Sequence, residues 1–329
     1  MTEVLILGGT GWLSGRVAET WMDAGARVTC LARGARPGPY GARLVAADRD
    51  APDAYDGVRG HDWDEVIEVS SRPGHVGAAV AALAASARHL TYVSSVSVYA
   101  SDAEPGADES AALAEPAAAG EEDDYARAKS AAEAAVRAGF GHRAAIVRPG
   151  LIVGPDDPTD RFGYWVSRFA LAAATGGPVL VPDASDARAQ VIDVEDLATF
   201  IVAVGRAGFS GAVNAVGDSL PLGEMLRAAR EVAGHTGEVA AADPTWLGAQ
   251  GVDYWMGPRS LPLWLPADMP GFATRSNALL RLLGGTLRPL RETLARVLED
   301  ERARGLDRRR AAGLSRADEL ALIAALSAG

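Results

Sequence analysis

VLILGGTGWLSG, residues 4–15, joins a short apolar run to a glycine-rich turn and then to the start of a helical pattern. The apolar run is rich in residues that favour buried parallel strands. The helical pattern runs from Trp12 to Ala24, and Gly25 ends it. A second apolar run, RVTCL, follows at residues 27–31. Strand, glycine turn, helix and strand in this order predict a βαβ unit.

The glycine turn is suited to holding a phosphate group. Glycine lets the backbone approach a pyrophosphate closely, and the N–H groups at the start of the next helix point toward it. The spacing is that of a GxxGxxG turn in which Ser14, still a small residue, takes the third position. Such a turn can be purely structural, but inside a βαβ unit it predicts a dinucleotide site. The predicted contacts are Gly8, Thr10, Gly11, Trp12 and Leu13.

The residues after the second strand indicate which dinucleotide binds. An NAD site usually carries an acid here that bonds the ribose 2′-hydroxyl, but residues 25–47 contain no acid. Arg33 and Arg36 are present instead, and a guanidinium can pair with a 2′-phosphate. We therefore expect NADP(H) to be preferred, with NAD(H) still possible; the alternative is that both arginines lie in a solvated loop. Asp48, after a third strand at residues 43–46, is expected to bond the adenine amine.

A single lysine follows a tyrosine by four positions. Lys129 is the only lysine among the 32 Lys and Arg residues, and Tyr125 precedes it. Residues four apart on a helix face the same way. Lysine is a compact charge on a flexible stem, which the planar guanidinium of arginine does not reproduce. The pair predicts a tyrosine tuned as a proton donor, and the alternative is an ordinary surface lysine.

Further strands and helices are expected in the same alternating order. VIEV at residues 66–69 is the fourth predicted strand, and an alanine-rich helix follows at 76–87. LTYV at 90–93 leads into the hydroxyl-rich SSVSVY at 94–99, which we expect to extend the fifth strand. A sixth strand ends at Arg148. Strands alternating with helices predict a parallel sheet.

Four motifs occur in a fixed order: GGTG after the first strand, SSVSVY after the fifth, YxxxK on the next helix and RPG at residues 148–150. In this combination the sequence resembles the extended short-chain dehydrogenase/reductase family, which includes NAD(P)-dependent epimerases and dehydratases. The resemblance covers roughly residues 3–216. The sequence departs from the family pattern at Ser14 and at SSRP, residues 70–73, where the family usually has a run of small residues.

The resemblance implies a role for each motif residue. Tyr125 would be the general acid/base, and Lys129 would hold the nicotinamide ribose and lower the pKa of that tyrosine. Ser95 corresponds to the residue that bonds the substrate oxygen, and Ser97 is the second choice. The further cofactor contacts that the resemblance implies are Ser70, Lys129 and Pro149.

The predicted fold class is α/β, with a Rossmann-type doubly wound parallel sheet and a smaller, mainly helical C-terminal substrate lobe. The Rossmann domain is expected to comprise residues 1–160 and about 186–216. The substrate lobe is expected to comprise about 161–185 and 217–329. No internal repeat and no Gly/Ser-rich linker divides the sequence.

The C-terminal half contains several aromatic residues, and Tyr164, Trp165 and Trp255 are candidate substrate contacts. They predict an apolar pocket wall; the alternative is the core of a small helical lobe. Arg188 lies where members of the resembling family that act on nucleotide sugars often hold a phosphate. Residues 101–124 form an acidic segment, expected to be a solvated loop whose last residues cap the next helix. The alternative for this segment is a mobile flap.

Composition limits the classes of partner and site. The 329 residues carry a formal charge of −11, which argues against nucleic acid or an anionic membrane as the main partner. One cysteine, and no recognised signal or membrane-spanning run, predict a cytoplasmic protein. The five histidines have no ligand-like spacing, so we expect no metal. The expected partner is a small-molecule substrate, and the chain is expected to be a monomer or homodimer.

Three functions fit these features. The first is an NADPH-dependent reductase that transfers hydride to a carbonyl or imine of a small hydrophobic or aromatic substrate, with Tyr125 as proton donor. The second is a nucleotide-sugar epimerase or dehydratase with tightly held NAD. The third is a non-catalytic dinucleotide-binding sensor or RNA-associated protein on the same scaffold.

Overall fold

The computed structural model describes residues 1–118, 120–121 and 123–328. The chain forms two compact units, each built from separate stretches of sequence. The first unit comprises Met1–Ile152, Val194–Gly217 and Arg275–Leu287, and the second comprises Val153–Asp193, Asp218–Thr274 and Arg288–Gly329, whose last residue lies outside the described part.

These boundaries differ from those expected from the sequence. Residues 153–160 and 186–193 belong to the second unit, and residues 275–287 belong to the first. The last exchange has a clear physical reason. Arg275 donates from Nη2 to the Ser101 carbonyl (2.8 Å) and to the Asp102 carboxylate (2.6 Å).

The strands and helices alternate along most of the first half of the chain. The strands are β1 (Glu3–Leu7), β2 (Arg27–Ala32), β3 (Arg43–Ala46), β4 (Trp63–Glu68), β5 (Ala87–Val93), β6 (Ala144–Pro149), β7 (Leu151–Val153), β8 (Val179–Pro182), β9 (Arg188–Ala189), β10 (Val191–Asp193), β11 (Gly211–Ala215), β12 (Leu220–Pro221), β13 (Val239–Ala242), β14 (Asp253–Trp255) and β15 (Ser260–Pro262). The helices are α1 (Trp12–Asp23), α2 (Pro73–Leu83), α3 (Tyr125–Phe140), α4 (Arg161–Thr175), α5 (Val194–Ala207), α6 (Leu222–Ala233), α7 (Pro244–Ala249), α8 (Ala278–Leu282), α9 (Leu290–Arg304) and α10 (Arg316–Ala328).

A seven-stranded sheet forms the centre of the first unit. Its order is β11-β6-β5-β4-β1-β2-β3, and every neighbouring pair is parallel. Helices α1 and α5 pack together, and so do α2 and α3. The strand order reverses at β1, so the crevice beside the glycine turn is where such a sheet binds ligands. The predicted doubly wound α/β fold is confirmed.

The core of this unit follows from the apolar strands. Val4, Leu5, Ile6 and Leu7 are completely buried, because a parallel sheet covered by helices has no solvent face. Trp63 and Tyr92 belong to the same unit's buried core. None of the helices in the described part of the chain is long and apolar enough to cross a membrane.

Local boundaries differ from the sequence expectation where polar side chains bond the backbone. β5 ends at Val93, and the expected strand residues beyond it turn into one turn of 3-10 helix at Val96–Val98. The cause is Ser95, whose hydroxyl accepts the Ser97 N–H at 3.1 Å. Helix α2 begins at Pro73, earlier than expected. Proline has no N–H, but the N–H of the first helical residue would have no partner within the helix, so proline is well suited to this position.

The acidic segment before α3 is held at several points. The Ala100 N–H donates to the Ala112 carbonyl (2.9 Å), and the Ala114 N–H donates to the Val98 carbonyl (2.8 Å). Asp124 caps α3 by accepting the Arg127 N–H at 3.1 Å, as the sequence predicts. Ala119 and Glu122, which belong to the segment predicted as loop or flap, lie outside the described residues.

The second unit has small paired strands and packed helices. β8 pairs with β13 in parallel, β9 with β12 antiparallel, and β14 with β15 in parallel. Helices α4, α6 and α9 pack on one another. Their contacts bury most of α4.

Two predicted substrate contacts are core residues of the second unit. Tyr164 is 0% exposed and Trp165 is 1% exposed. The Trp165 Nε1–H donates to the Pro262 carbonyl at 2.7 Å. A Cβ added at Gly313 would lie 2.8 Å from Tyr164 Cγ, so the tyrosine ring packs tightly against the backbone there. Neither ring has surface to offer a substrate, which corrects the sequence expectation.

A buried ion pair connects α3 to β6. Arg148 donates from Nε and Nη2 to the two oxygens of Glu133, at 2.9 and 2.8 Å, and from Nη1 to the Tyr99 hydroxyl at 3.0 Å. Burial is the largest single influence and raises the pKa of Glu133, but the hydrogen bonds and charge of Arg148, with smaller contributions from Ser94 and Arg137, together hold this pKa below its ordinary value.

Arg148→Met should lower the free energy of unfolding by about 3–5 kcal/mol, because Glu133 would keep a buried charge without its main partner. The double variant Arg148→Met with Glu133→Leu should recover most of this loss. Arg127→Met is the control; its pair with Glu121 is exposed and should be worth less than about 1 kcal/mol. Urea unfolding followed by circular dichroism measures all three. Similar small losses for both single variants would contradict the prediction.

Candidate active site

The glycine turn after β1 has a backbone shape that other residues would not fit. Gly8 has φ +85°, and its N–H donates to the Leu31 carbonyl at 2.8 Å. A Cβ added at Gly9 would lie 2.7 Å from Cys30 Cβ and still closer to the sulfur. Strand β2 therefore packs directly against the turn, and only glycine fits at position 9.

Ser14, the departure from the glycine spacing, closes the turn. Its hydroxyl donates to the Gly8 carbonyl at 2.6 Å and accepts the Gly11 N–H at 3.1 Å. Helix α1 then begins at Trp12, and its first turn carries no acidic residue. A narrow glycine turn that leads into the positive end of a helix fits a pyrophosphate.

The residues expected around the adenosine half lie on the surface of the first unit. Arg33 and Arg36 are exposed in the segment that follows β2. Asp48 is exposed after β3, and its carboxylate accepts the Asp50 N–H at 3.1 Å. The contacts of these three residues with a ribose phosphate and an adenine stay predictions.

The Tyr125–Lys129 pair lies on the first two turns of α3. Tyr125 is 50% exposed, whereas Lys129 is only 3% exposed. The Lys129 Nζ donates to the Val93 carbonyl at 2.8 Å and to the Ser70 carbonyl at 3.2 Å. Nζ lies 6.0 Å from the centre of the Tyr125 ring. The surface-lysine alternative is therefore wrong: the chain buries its one ammonium beside a phenol that solvent can reach.

Burial lowers the pKa of Lys129 to about 8, although the carboxylates of Glu68 and Glu133 act in the opposite direction. The ammonium is therefore charged at neutral pH and loses its proton as the pH passes about 8.

Ser95 and Ser97 lie where β5 turns into the 3-10 helix. The Ser95 hydroxyl donates to the Ser97 hydroxyl at 3.2 Å. Ser95 is buried and Ser97 is partly exposed. Because α3 packs against this turn, the two hydroxyls lie beside the helix that carries Tyr125.

The surroundings of Lys129 include three residues that the sequence analysis did not identify: Tyr92, Glu68 and Arg49. The Ser70 carbonyl, which accepts Lys129, also accepts the Tyr92 hydroxyl at 3.1 Å. Glu68 binds the Ser70 N–H and is itself bound by Arg49. The available signal was a glutamate that directly follows the apolar pair Val66–Ile67 at the end of β4. Pro149, predicted from the resemblance, ends β6 and is buried.

The second unit contains a cleft of about 350 Å³. Arg188 lines it and donates from Nε and Nη2 to Ser219, at 3.2 and 2.9 Å. The rings of Tyr254 and Trp264, also in the lining, lie 4.0 Å apart at their centres. Asp183 and Asp186 add two carboxyl groups.

Trp255, the third aromatic candidate, is absent from the cleft lining. Its ring packs on Phe272, with centres 5.2 Å apart, and the Arg161 guanidinium lies 5.1 Å from its centre.

Comparison with known sequences assigns the fold and motifs to one family. The sequence pattern of the NAD dependent epimerase/dehydratase family matches residues 4–217. The chain belongs to this family. The match spans the glycine turn, the serine turn and the Tyr125–Lys129 helix, so the resemblance inferred from those motifs is confirmed.

Solved structures of the same fold cover nearly the whole chain. An epimerase from Burkholderia cenocepacia, provisionally classed, has a TM-score of 0.71 at 20% identity over 92% of this chain and 98% of its own. TunA, an NAD dependent NDP-hexosamine 5,6-dehydratase of tunicamycin biosynthesis, has a TM-score of 0.67 at 18% identity over 94% and 100%. UDP-glucuronic acid 4-epimerase from Bacillus cereus, in complex with NAD, has 0.66 at 13% over 92% and 99%. No curated protein sequence matches the chain.

Replacing Gly9 or Gly15 by alanine should change the stability of the protein in opposite directions. Gly9→Ala should lower the free energy of unfolding by about 1–3 kcal/mol, because the new methyl group would overlap Cys30. Gly15→Ala is the matched control; a Cβ there meets nothing within 4 Å, and alanine favours the helix. Thermal unfolding measures both. A Gly9→Ala protein as stable as Gly15→Ala would show that β2 does not pack against the turn as described.

Proposed function

We propose that this protein is a nicotinamide-dinucleotide-dependent enzyme that acts on a carbinol carbon of a nucleotide-linked sugar, as an epimerase or dehydratase. The observation that carries the proposal is the buried Lys129 ammonium, held by two carbonyls beside a half-exposed Tyr125. Burying an ammonium is unfavourable, so a surface lysine or a purely structural lysine would not be expected in this arrangement. Such burial is typical of functional sites.

Tyr125 is the proposed general acid/base. An isolated phenol titrates near pH 10, so it exchanges protons poorly at neutral pH. The Lys129 charge beside it would favour the ionised phenol over the neutral one. Exposure of Tyr125 lets it reach a substrate hydroxyl, and Ser95 or Ser97 would bond the same oxygen and fix its direction.

A nicotinamide dinucleotide held here would supply reversible hydride transfer at the substrate carbon, while Tyr125 would take the hydroxyl proton and give it back. The glycine turn, Ser14 and the start of α1 would hold the pyrophosphate, and Lys129 would hold the nicotinamide ribose through its remaining N–H. Ser70 and Pro149 would line the same site.

The nucleotide-sugar class is supported by the family assignment and by the second unit. Among proteins of this fold, one is a UDP-glucuronic acid 4-epimerase and another acts on an NDP-hexosamine. The cleft of the second unit places one arginine, Arg188, beside the aromatic rings of Tyr254 and Trp264. A guanidinium and aromatic rings suit a phosphate and a base.

One observation favours a second function, an NADPH-dependent reductase with a small apolar substrate. The segment after β2 exposes Arg33 and Arg36 and contains no acid for a ribose 2′-hydroxyl. A cofactor that is exchanged at each turnover would be NADPH, whereas an epimerase retains its cofactor and needs no 2′-phosphate.

A paired assay separates the functions. The purified protein is incubated with UDP-glucose, UDP-glucuronic acid and UDP-N-acetylglucosamine plus NAD⁺, and sugar products are followed by proton NMR. In parallel, carbonyl and imine compounds are offered with NADPH, and loss of nicotinamide absorbance is followed. Sugar conversion without net reduction of NAD⁺ supports the epimerase or dehydratase. NADPH oxidation with no sugar conversion overturns it in favour of the reductase, and binding without turnover in either arm overturns both.

Lys129→Arg should reduce turnover by about 10²–10⁴-fold, because the wide guanidinium cannot take the place of a compact ammonium between two carbonyls. In the native enzyme, activity should fall as the pH rises through about 8, where Lys129 loses its charge. This fall should be missing from the residual activity of the variant, since arginine stays charged. Arg127→Lys, an exposed exchange on the same helix, is the control. Equal rates for native and Lys129→Arg enzymes would refute the assigned role.

Arg33→Ala should weaken NADPH binding by about tenfold or more and leave NADH binding nearly unchanged, if the 2′-phosphate binds there. Arg206→Ala, an exposed arginine at the end of α5, is the control. Isothermal titration calorimetry measures both cofactors. Equal loss for NADH and NADPH would place Arg33 elsewhere in the site.

A further inference from the structure

Glu68 is a buried charge at the centre of the sheet. It is 0% exposed and ends β4, level with Leu7 of β1 and Tyr92 of β5. Burying a carboxylate is unfavourable unless other groups bond it. Its position at the carboxyl end of the strand is the position where such sheets place functional residues.

Arg49 binds both oxygens of this carboxylate. Its Nη1 donates to Oε1 at 2.9 Å, and its Nη2 bonds Oε2. The guanidinium is fixed in turn by the His75 carbonyl (2.8 Å) and the Tyr55 hydroxyl (3.0 Å). The carboxylate therefore has one well-defined direction.

The same carboxylate reaches Lys129 through one residue. Glu68 Oε1 accepts the Ser70 N–H at 2.7 Å, which fixes the turn after β4. The carbonyl of Ser70 then accepts the Lys129 ammonium at 3.2 Å. Ser70 therefore connects the two charged groups: its N–H bonds Glu68, and its carbonyl bonds Lys129.

We propose that Glu68, oriented by Arg49, is a positioning residue for the catalytic lysine: it sets the Ser70 carbonyl that receives the ammonium and provides negative charge close to it. The proposal rests on the proposed function only through the role given to Lys129.

The charges around Lys129 support this role. Burial lowers its pKa, and Glu68 is the first of the two carboxylates that oppose burial, with Glu133 of α3 as the second. Glu133 is bound by Arg148 and Arg137.

Two phenols also face the ammonium, Tyr125 from α3 and Tyr92 from β5, whose ring centre lies 4.8 Å from Nζ. Burial, and then Glu68, raises the pKa of Tyr92, so Tyr92 remains a neutral donor to the Ser70 carbonyl. Glu68 therefore acts on Lys129 in two ways. It fixes the Ser70 carbonyl through a hydrogen bond, and its negative charge favours the ammonium.

The test uses the fact that the chain has one lysine. Protein labelled with ¹³C-lysine gives a single side-chain signal, so the pKa of Lys129 can be measured by NMR without substrate or cofactor. Glu68→Gln keeps an acceptor for the Ser70 N–H but removes the charge. We expect the pKa of Lys129 to fall by about 0.5–1 unit.

Glu65→Gln is the matched control. Glu65 is a buried glutamate of the same strand, but its carboxylate bonds His89 and Thr91. This variant should leave the pKa of Lys129 unchanged. An unchanged pKa in Glu68→Gln, or equal shifts in both variants, overturns the proposal.

Glu68→Gln also leaves Arg49 without its charge partner, which can prevent folding. The double variant Glu68→Gln with Arg49→Met removes both charges and should shift the lysine in the same direction. In an active enzyme, the loss of activity at high pH should move to lower pH by the same amount as the NMR pKa. A shifted NMR pKa in a protein with no turnover leaves the positioning role intact and overturns only the proposed function.

Discussion

The structure of the site depends on the burial of one ammonium. Lys129 can be buried only if carbonyl oxygens replace the water it loses, and those carbonyls belong to Val93 and Ser70. Val93 is the last residue of β5, and Ser70 lies two residues beyond the end of β4, its parallel neighbour. These hydrogen bonds therefore hold α3 against the sheet in addition to its apolar contacts.

Arginine and lysine have separate uses in the first unit. Arg49 and Arg148 each make a two-fold bond with a buried glutamate, Glu68 and Glu133. Both glutamates lie near Lys129 and act against the effect of burial on its pKa. Planar guanidinium groups suit carboxylates, whereas a compact ammonium can fit between two carbonyls. This division gives a physical reason why these two buried ion pairs use arginine and the position beside Tyr125 uses lysine.

The two units contribute different information about function. The first unit contains the glycine turn, the two serines and the Tyr125–Lys129 pair on which the proposed reaction rests. The second unit contains the cleft with Arg188 and two aromatic rings, which bears on substrate choice. The proposed nucleotide-sugar substrate rests on the named sugars of proteins with the same fold, and the alternative of a reductase with NADPH rests on the arginines after β2. The first concerns the substrate and the second concerns the cofactor, so separate binding measurements can resolve them.

The sequence by itself determined the alternation of strands and helices, the glycine turn and the Tyr125–Lys129 spacing, because these depend on residues close together in the chain. It could not determine the division into units, since Arg275 bonds residues more than 170 positions earlier. It left a pocket wall and a helical core open for the aromatic residues, and packing places Tyr164 and Trp165 in the core. It also missed the path from Arg49 through Glu68 and Ser70 to Lys129. Those four residues are spread over three segments, and only the parallel sheet brings the ends of its strands together so that one buried charge can act on another.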